Sequence, residues 1–125
     1  MIPRTPEDCD NLFERHINAG ELDALVGLYE PGASLVNQDG SVATGPSAIR
    51  EALSGFVAMK PAIRMNIVKT VRVGDDVAVI YNDWTMRAAA PDGTPIDLAG
   101  RATEIVRRQR DGAWRFAFDD PFSRG

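Results

Sequence analysis

The amino-acid sequence predicts an α+β fold, a strongly curved antiparallel sheet wrapped around three N-terminal helices. Three observations predict it. Apolar residues recur at helical spacing through the first half of the chain, and strand-like runs fill the second. The runs are joined by short turn signals, Gly74-Asp75-Asp76 and Arg110-Asp111-Gly112, and helices segregated from a meander mark α+β. Long consecutive strands twist strongly, so a curled sheet can hold the helices in its hollow. Such an arrangement leaves one open end, where a ligand enters.

The elements follow in order. Thr5 is an N-cap, Pro6 suits the first turn, and Asp8 stands at capping-box spacing. The first helix carries Cys9, Leu12, Phe13, His16 and Ile17 as one stripe, and Gly20 stops it. A second helix, Glu21 to Tyr29, follows after a link too short for anything but direct packing. Ala33 to Asn37 reads as a short strand, Gln38 to Ser41 as a turn, and Val42 to Gly45 as a brief return. A third helix opens at Pro46 and runs to about Met59, with Pro61 preventing its continuation. Strands then cover Ile63 to Val73, Val77 to Met86, and two runs between Ile96 and Pro121.

At 125 residues the chain is a single domain, 1–125. Its net charge of −4 and the lack of a basic tail argue against nucleic acid or an anionic membrane as the main partner. Cys9 and His16 are the only residues of their types, so no intrachain disulfide forms and no Cys/His zinc site is expected. No metal or cofactor is implied. The N-terminus lacks the apolar core of a signal peptide, and no apolar run approaches a membrane span, so a cytoplasmic protein is expected.

The last third holds the chemistry. In the final run Trp114, Phe116 and Phe118 alternate with Ala113, Arg115 and Ala117, a strand with one heavily buried face. The same parity reaches Asp120. In the preceding run one parity reads Leu98, Gly100, Ala102, Glu104 and Val106: apolar, small in its middle, with one carboxylate. Such a face makes the floor of a pocket.

The element order, with NAGELDALVGLYEPGASLV near the start and DGAWRFAFDD at the end, resembles the NTF2-like (cystatin-like) superfamily. More narrowly it looks like the SnoaL-like or DUF4440-type proteins, relatives of ketosteroid isomerase. The resemblance implies a cone-shaped domain with an internal pocket, usually a homodimer through the convex sheet face. It does not imply one activity, because the superfamily includes isomerases, cyclases, hydrolases, dehydratases and non-catalytic members. The isomerase's tyrosine donor falls at Phe13 and its aspartate base at Asn37, so authentic steroid isomerisation is not expected. Its protonated aspartate falls near Glu104, an acid of the kind held neutral by an apolar site, for which that isomerase is the standard example. The Asp-Arg-Asp set of the hydrolase relatives is not visible, since Thr103 stands two residues after Arg101. The cyclase relatives imply a carboxylate late in the chain, at Asp119 or Asp120.

Glu104 and Asp120 are the expected catalytic pair, two carboxyls whose proximity pushes one pKa upward. The competing reading pairs each acid with an arginine, of which Arg87, Arg101, Arg107, Arg108 and Arg115 are available. Parity favours Asp120 over Asp119, and a β-bulge would reverse the choice. Asn37 either binds a ligand carbonyl or hydroxyl or caps the turn that follows. Trp84, Tyr29, Phe13, Phe116 and Met65 are candidate walls for a small apolar ligand, against the simpler reading of each as core. Which side of the Trp84 strand faces inward is open. His16 is a candidate base on the first helix or, more simply, a half-buried structural histidine. Two functions follow: proton-transfer chemistry on an apolar carbonyl-bearing molecule, or a non-catalytic pocket or self-assembly module. The first requires a carboxylate with an elevated pKa facing a cavity, the second acids tied up by arginine.

Overall fold

The computed structural model describes residues 2–125. Helix α1 spans Pro6–Ala19. Its capping box is complete: Asp8 N–H donates to Thr5 Oγ1, and Asp8 Oδ2 accepts from the Thr5 N–H. Gly20 closes it in the left-handed region at φ 73°, where its N–H reaches back to the Ile17 carbonyl. Helix α2 is only Leu22–Val26, and the chain becomes strand β1 at Tyr29–Val36. The expected helical end at Tyr29 is overridden because the Leu28 carbonyl accepts from Phe116 N–H, which starts strand pairing there. Strand β2 (Val42–Thr44) and helix α3 (Pro46–Ala58) follow as expected.

Four long strands complete the chain: β3 (Ala62–Val73), β4 (Val77–Ala89), β5 (Pro95–Arg108) and β6 (Trp114–Asp120). The sheet order is β2-β1-β6-β5-β4-β3, with the two ends unpaired. Every junction is antiparallel except β1–β6, which is parallel. The early β1 thereby docks beside the last strand, and the meander alone did not foretell that junction. Helix α1 contacts β3, β4, β5 and β6 together, which requires the sheet to curl around it.

The concave side is the core. Ala78, Ile80, Asn82 and Met86 of β4 all point inward, which settles the parity of the Trp84 strand. On β6 the parity changes. Phe116 pairs with Val106 but Phe118 pairs with Ile105, so β6 advances two residues while β5 advances one. The extra residue, Ala117, is a β-bulge. Trp114 and Phe116 face inward before it and Asp119 after it, while Phe118 and Asp120 are turned to the convex side.

Candidate functional site

A cavity of about 380 Å³ opens between the helices and the concave face, within the ~300–1,000 Å³ usual for small-molecule sites. Apolar side chains make its walls: Phe13 and Ile17 from α1, Leu53 and Phe56 from α3, and Met65 and Met86 from the sheet. Pro121 and Phe122, just past β6, complete one side. Asn37, Gln38 and Asp39 form the mouth. The turn reading of Asn37 holds, since its Nδ2 donates to Ser41 Oγ at 3.0 Å, and the residue also lines the opening.

The floor is acidic. Glu104 and Asp119 line it and are directly opposite each other in register across β5 and β6. The expected pair of Glu104 and Asp120 is therefore corrected to Glu104 and Asp119. The bulge at Ala117 turns Asp120 to the other side, opposite Thr103. A third acid was hidden in the sequence. Asp10 on α1 is 1% exposed, and its Oδ2 accepts from Asn82 Nδ2 at 2.9 Å. Asp10 lies three residues before Phe13 and seven before Ile17, on the apolar stripe itself, and that spacing was the available signal.

Burial is the largest influence on all three acids, and it favours their neutral forms. The Glu104 carboxyl is pushed well above the usual carboxylate range by burial, then by the Asp10 charge and by a hydrogen bond that Glu104 donates to Asp10. One proton held between them accounts for Asp10 Oδ1 and Glu104 Oε1, two buried oxygens that otherwise have no partner. Asp119 is raised by burial to about 7, against the hydrogen bond from Tyr29, which favours its charged form. Tyr29 Oη donates to Asp119 Oδ2 at 2.7 Å.

The arginines named as alternative partners are engaged elsewhere or absent from this site. Arg87 pairs with Asp97, Arg107 with Glu30 and Arg108 with Asp76. Among the described residues no arginine, lysine or histidine lines the cavity.

The remaining expectations divide. Phe13, Trp84 and Met65 are walls. Tyr29 is not a wall, because it lies buried behind Asp119 and orients it. Phe116 is not one either. It is fully buried beneath the site, its ring 5.0 Å from Tyr29 and 6.2 Å from Phe13. His16 lies away from the cavity, with Nδ1 3.0 Å from Glu21 Oε1. Strand parity and helical spacing report facing, not depth, so the core reading holds for Tyr29 and Phe116, and His16 is the half-buried structural histidine.

The small residues of β5 act differently from one another. Ala102 lines the cavity, but the space beside Gly100 is filled. A Cβ there would lie 2.7 Å from the Pro121 carbonyl oxygen and 2.7 Å from the Trp84 ring. Trp84 is locked in that position by its Nε1–H, which donates to the Pro121 carbonyl at 2.8 Å, and by the Phe122 ring set edge-on at 5.2 Å. Gly100→Ala is expected to lower unfolding stability by about 1–3 kcal/mol through overpacking. Urea denaturation followed by Trp fluorescence checks it; an unchanged midpoint would mean that the indole is free to move.

The curled sheet with helices in its hollow and an apolar cavity floored by acids defines a pocket protein of the NTF2-like class. Residues 10–117 match the family model of the SnoaL-like domain, and the chain belongs to that family. Solved structures agree on the fold. A ketosteroid isomerase-like protein from Erwinia carotovora atroseptica superposes with a TM-score of 0.81 at 15% identity, covering 91% of this chain and 89% of that one. An NTF2-like superfamily protein from Salmonella enterica gives 0.79 at 19%, covering 94% and 89%. A protein with a cystatin-like fold from Caulobacter vibrioides gives 0.74 at 19%, covering 93% and 84%. At such identities the likeness is one of fold. No curated protein matches the chain. No helix among the described residues is long and apolar enough to cross a membrane.

Proposed function

We propose that the chain is an enzyme that moves protons on a small apolar, carbonyl-bearing molecule without a cofactor, as isomerases, cyclases and related hydrolases do. One observation carries the reading: Asp119, raised to about 7, faces an apolar cavity directly opposite a carboxyl that keeps its proton. A base is most effective when its pKa lies near the working pH. Asp119 takes the proton from the carbon beside the carbonyl, and Glu104 turns its proton from Asp10 to the carbonyl oxygen as negative charge builds there. Tyr29 steadies the Asp119 charge, and Asp10 holds Glu104 in place. Among the described residues no arginine lines the cavity that holds these acids, which supports catalysis over a purely structural role. Steroid isomerisation itself is not proposed, because Phe13 and Asn37 carry neither a phenol nor a carboxylate.

The test is deuterium exchange at the carbon beside the carbonyl of α-tetralone in D₂O, followed by NMR. The wild type is expected to exceed the buffer rate, and Asp119→Asn to lose about 10²–10⁴-fold of the excess. Equal rates for wild type and variant would overturn the assignment of Asp119 as base.

The partner in solution is proposed to be a second copy. On the convex face Val71, Val79, Ile105 and Phe118 stand in one register row across four strands, and none is fully buried in the single chain. A row of that kind is self-complementary about a two-fold axis. Mass measurement at micromolar concentration should find a dimer, and Ile105→Glu a monomer. A wild-type monomer would remove the proposal.

A further inference from the structure

The floor of the cavity is short of donors. Asn82 is fully buried, and its Nδ2 is engaged by Asp10. The Tyr29 hydroxyl is engaged by Asp119, the Glu104 proton by Asp10, and the Trp84 ring N–H by the Pro121 carbonyl. What the floor presents to a ligand is therefore acceptor only. Asn82 lines the cavity, and its Oδ1 is buried with no hydrogen-bond partner among the described residues. Asp119 has an oxygen not used by Tyr29, and Glu104 has one not shared with Asp10, toward which Asn82 also hydrogen-bonds. A buried acceptor left without a donor loses its hydration with nothing in return, and a donor from a ligand would recover that loss.

The charges point the same way. The Asp10 charge raises both Glu104 and Asp119 and the Asp119 charge raises Glu104, and among the described residues no basic side chain lines the cavity to offset them. One positive charge brought by the ligand would relieve the repulsion. We propose that the cavity takes an apolar molecule with a primary ammonium head, its three N–H groups directed at Asn82 Oδ1, Asp119 and Glu104. An alkylammonium has three donors and no acceptor, which complements three acceptors. A hydroxyl brings one donor and no charge, and a bare carbonyl brings neither. The aromatic and methionine walls, Phe13, Phe56, Met65 and Trp84, receive the apolar body.

This inference rests on the cavity being the ligand site and adds the head group to that reading; the substrate would then carry an amine as well as a carbonyl. Four probes of matched size separate the two ideas: naphthylmethylamine, naphthylmethanol, naphthaldehyde and naphthoate, titrated against the full chain by calorimetry at pH 8. The amine is expected to bind at least tenfold more tightly than the alcohol or aldehyde, with naphthoate weakest. Asp119→Asn and, independently, Glu104→Gln are expected to reduce the preference for amine over alcohol several-fold. Alcohol or aldehyde binding as tightly as the amine would overturn the inference and leave the pocket reading standing. Amine preference unchanged in both variants would also overturn it. Failure of all four to bind would overturn both.

Discussion

Asp119→Asn is expected to be more stable than the wild type at pH 8, although it removes the proposed base. The carboxyl titrates near 3.8 when unfolded and at about 7 when folded. The folded state therefore binds the proton more tightly. The stability linked to that proton is fully present below pH 4 and is lost as pH rises through 7. The loss for a shift of this size is up to about 4 kcal/mol. Asparagine cannot ionise and keeps an oxygen to accept from Tyr29. The variant should match the wild type near pH 4 and exceed it increasingly toward pH 8. Urea unfolding of both proteins at the two pH values checks this. A stability difference independent of pH would show that Asp119 is not held neutral by burial. Glu104 and Asp10 are raised in the same direction, so the wild type itself should weaken as pH climbs from mildly acidic to alkaline. Groups tuned for chemistry commonly cost stability in this manner.

Phe116→Ala is expected to be the most damaging single truncation, lowering stability by about 3–5 kcal/mol. The ring is fully buried, stacks at a tilt on Tyr29 and meets Phe13 edge-on. It thus joins a wall of the cavity to the phenol that steadies Asp119. Its N–H also donates to the Leu28 carbonyl where β1 meets β6. Removing the ring leaves a hole under the acidic floor that these neighbours can only partly fill. Thermal unfolding should show a large fall in Tm. A shift as small as that of an exposed substitution would mean the core closes over the gap, and the proposed support of Tyr29 by Phe116 would then fail.

Much of the architecture was legible in the residues. Thr5, Pro6 and Asp8 announced the first helix, Gly20 ended it, and Pro46 and Pro61 bounded the third. Gly-containing turns separated the long strands. The parallel β1–β6 junction was not legible, because it depends on tertiary pairing between distant segments. At the site, Glu104 followed from strand parity alone. Asp119 did not, since the bulge at Ala117 leaves no distinctive residue behind. Asp10 was masked by Glu7 and Asp8, acids that a helix start attracts for its own electrostatic reasons. Gly100 read as missing volume, whereas the volume belongs to the Trp84 indole brought over from the neighbouring strand.

The kink at Ala117 makes the choice of acid a matter of how the strand carries its extra residue. Asp119 and Asp120 are adjacent, and the bulge decides which of them looks into the chamber. Loss of the Ala117 codon would straighten the strand and leave Asp119 opposite Glu104, whereas keeping the residue without the bulge would present Asp120, with the tyrosine no longer aligned behind it. Relatives can thus carry the same two letters and yet aim a different one at their ligand, according to whether the strand bulges.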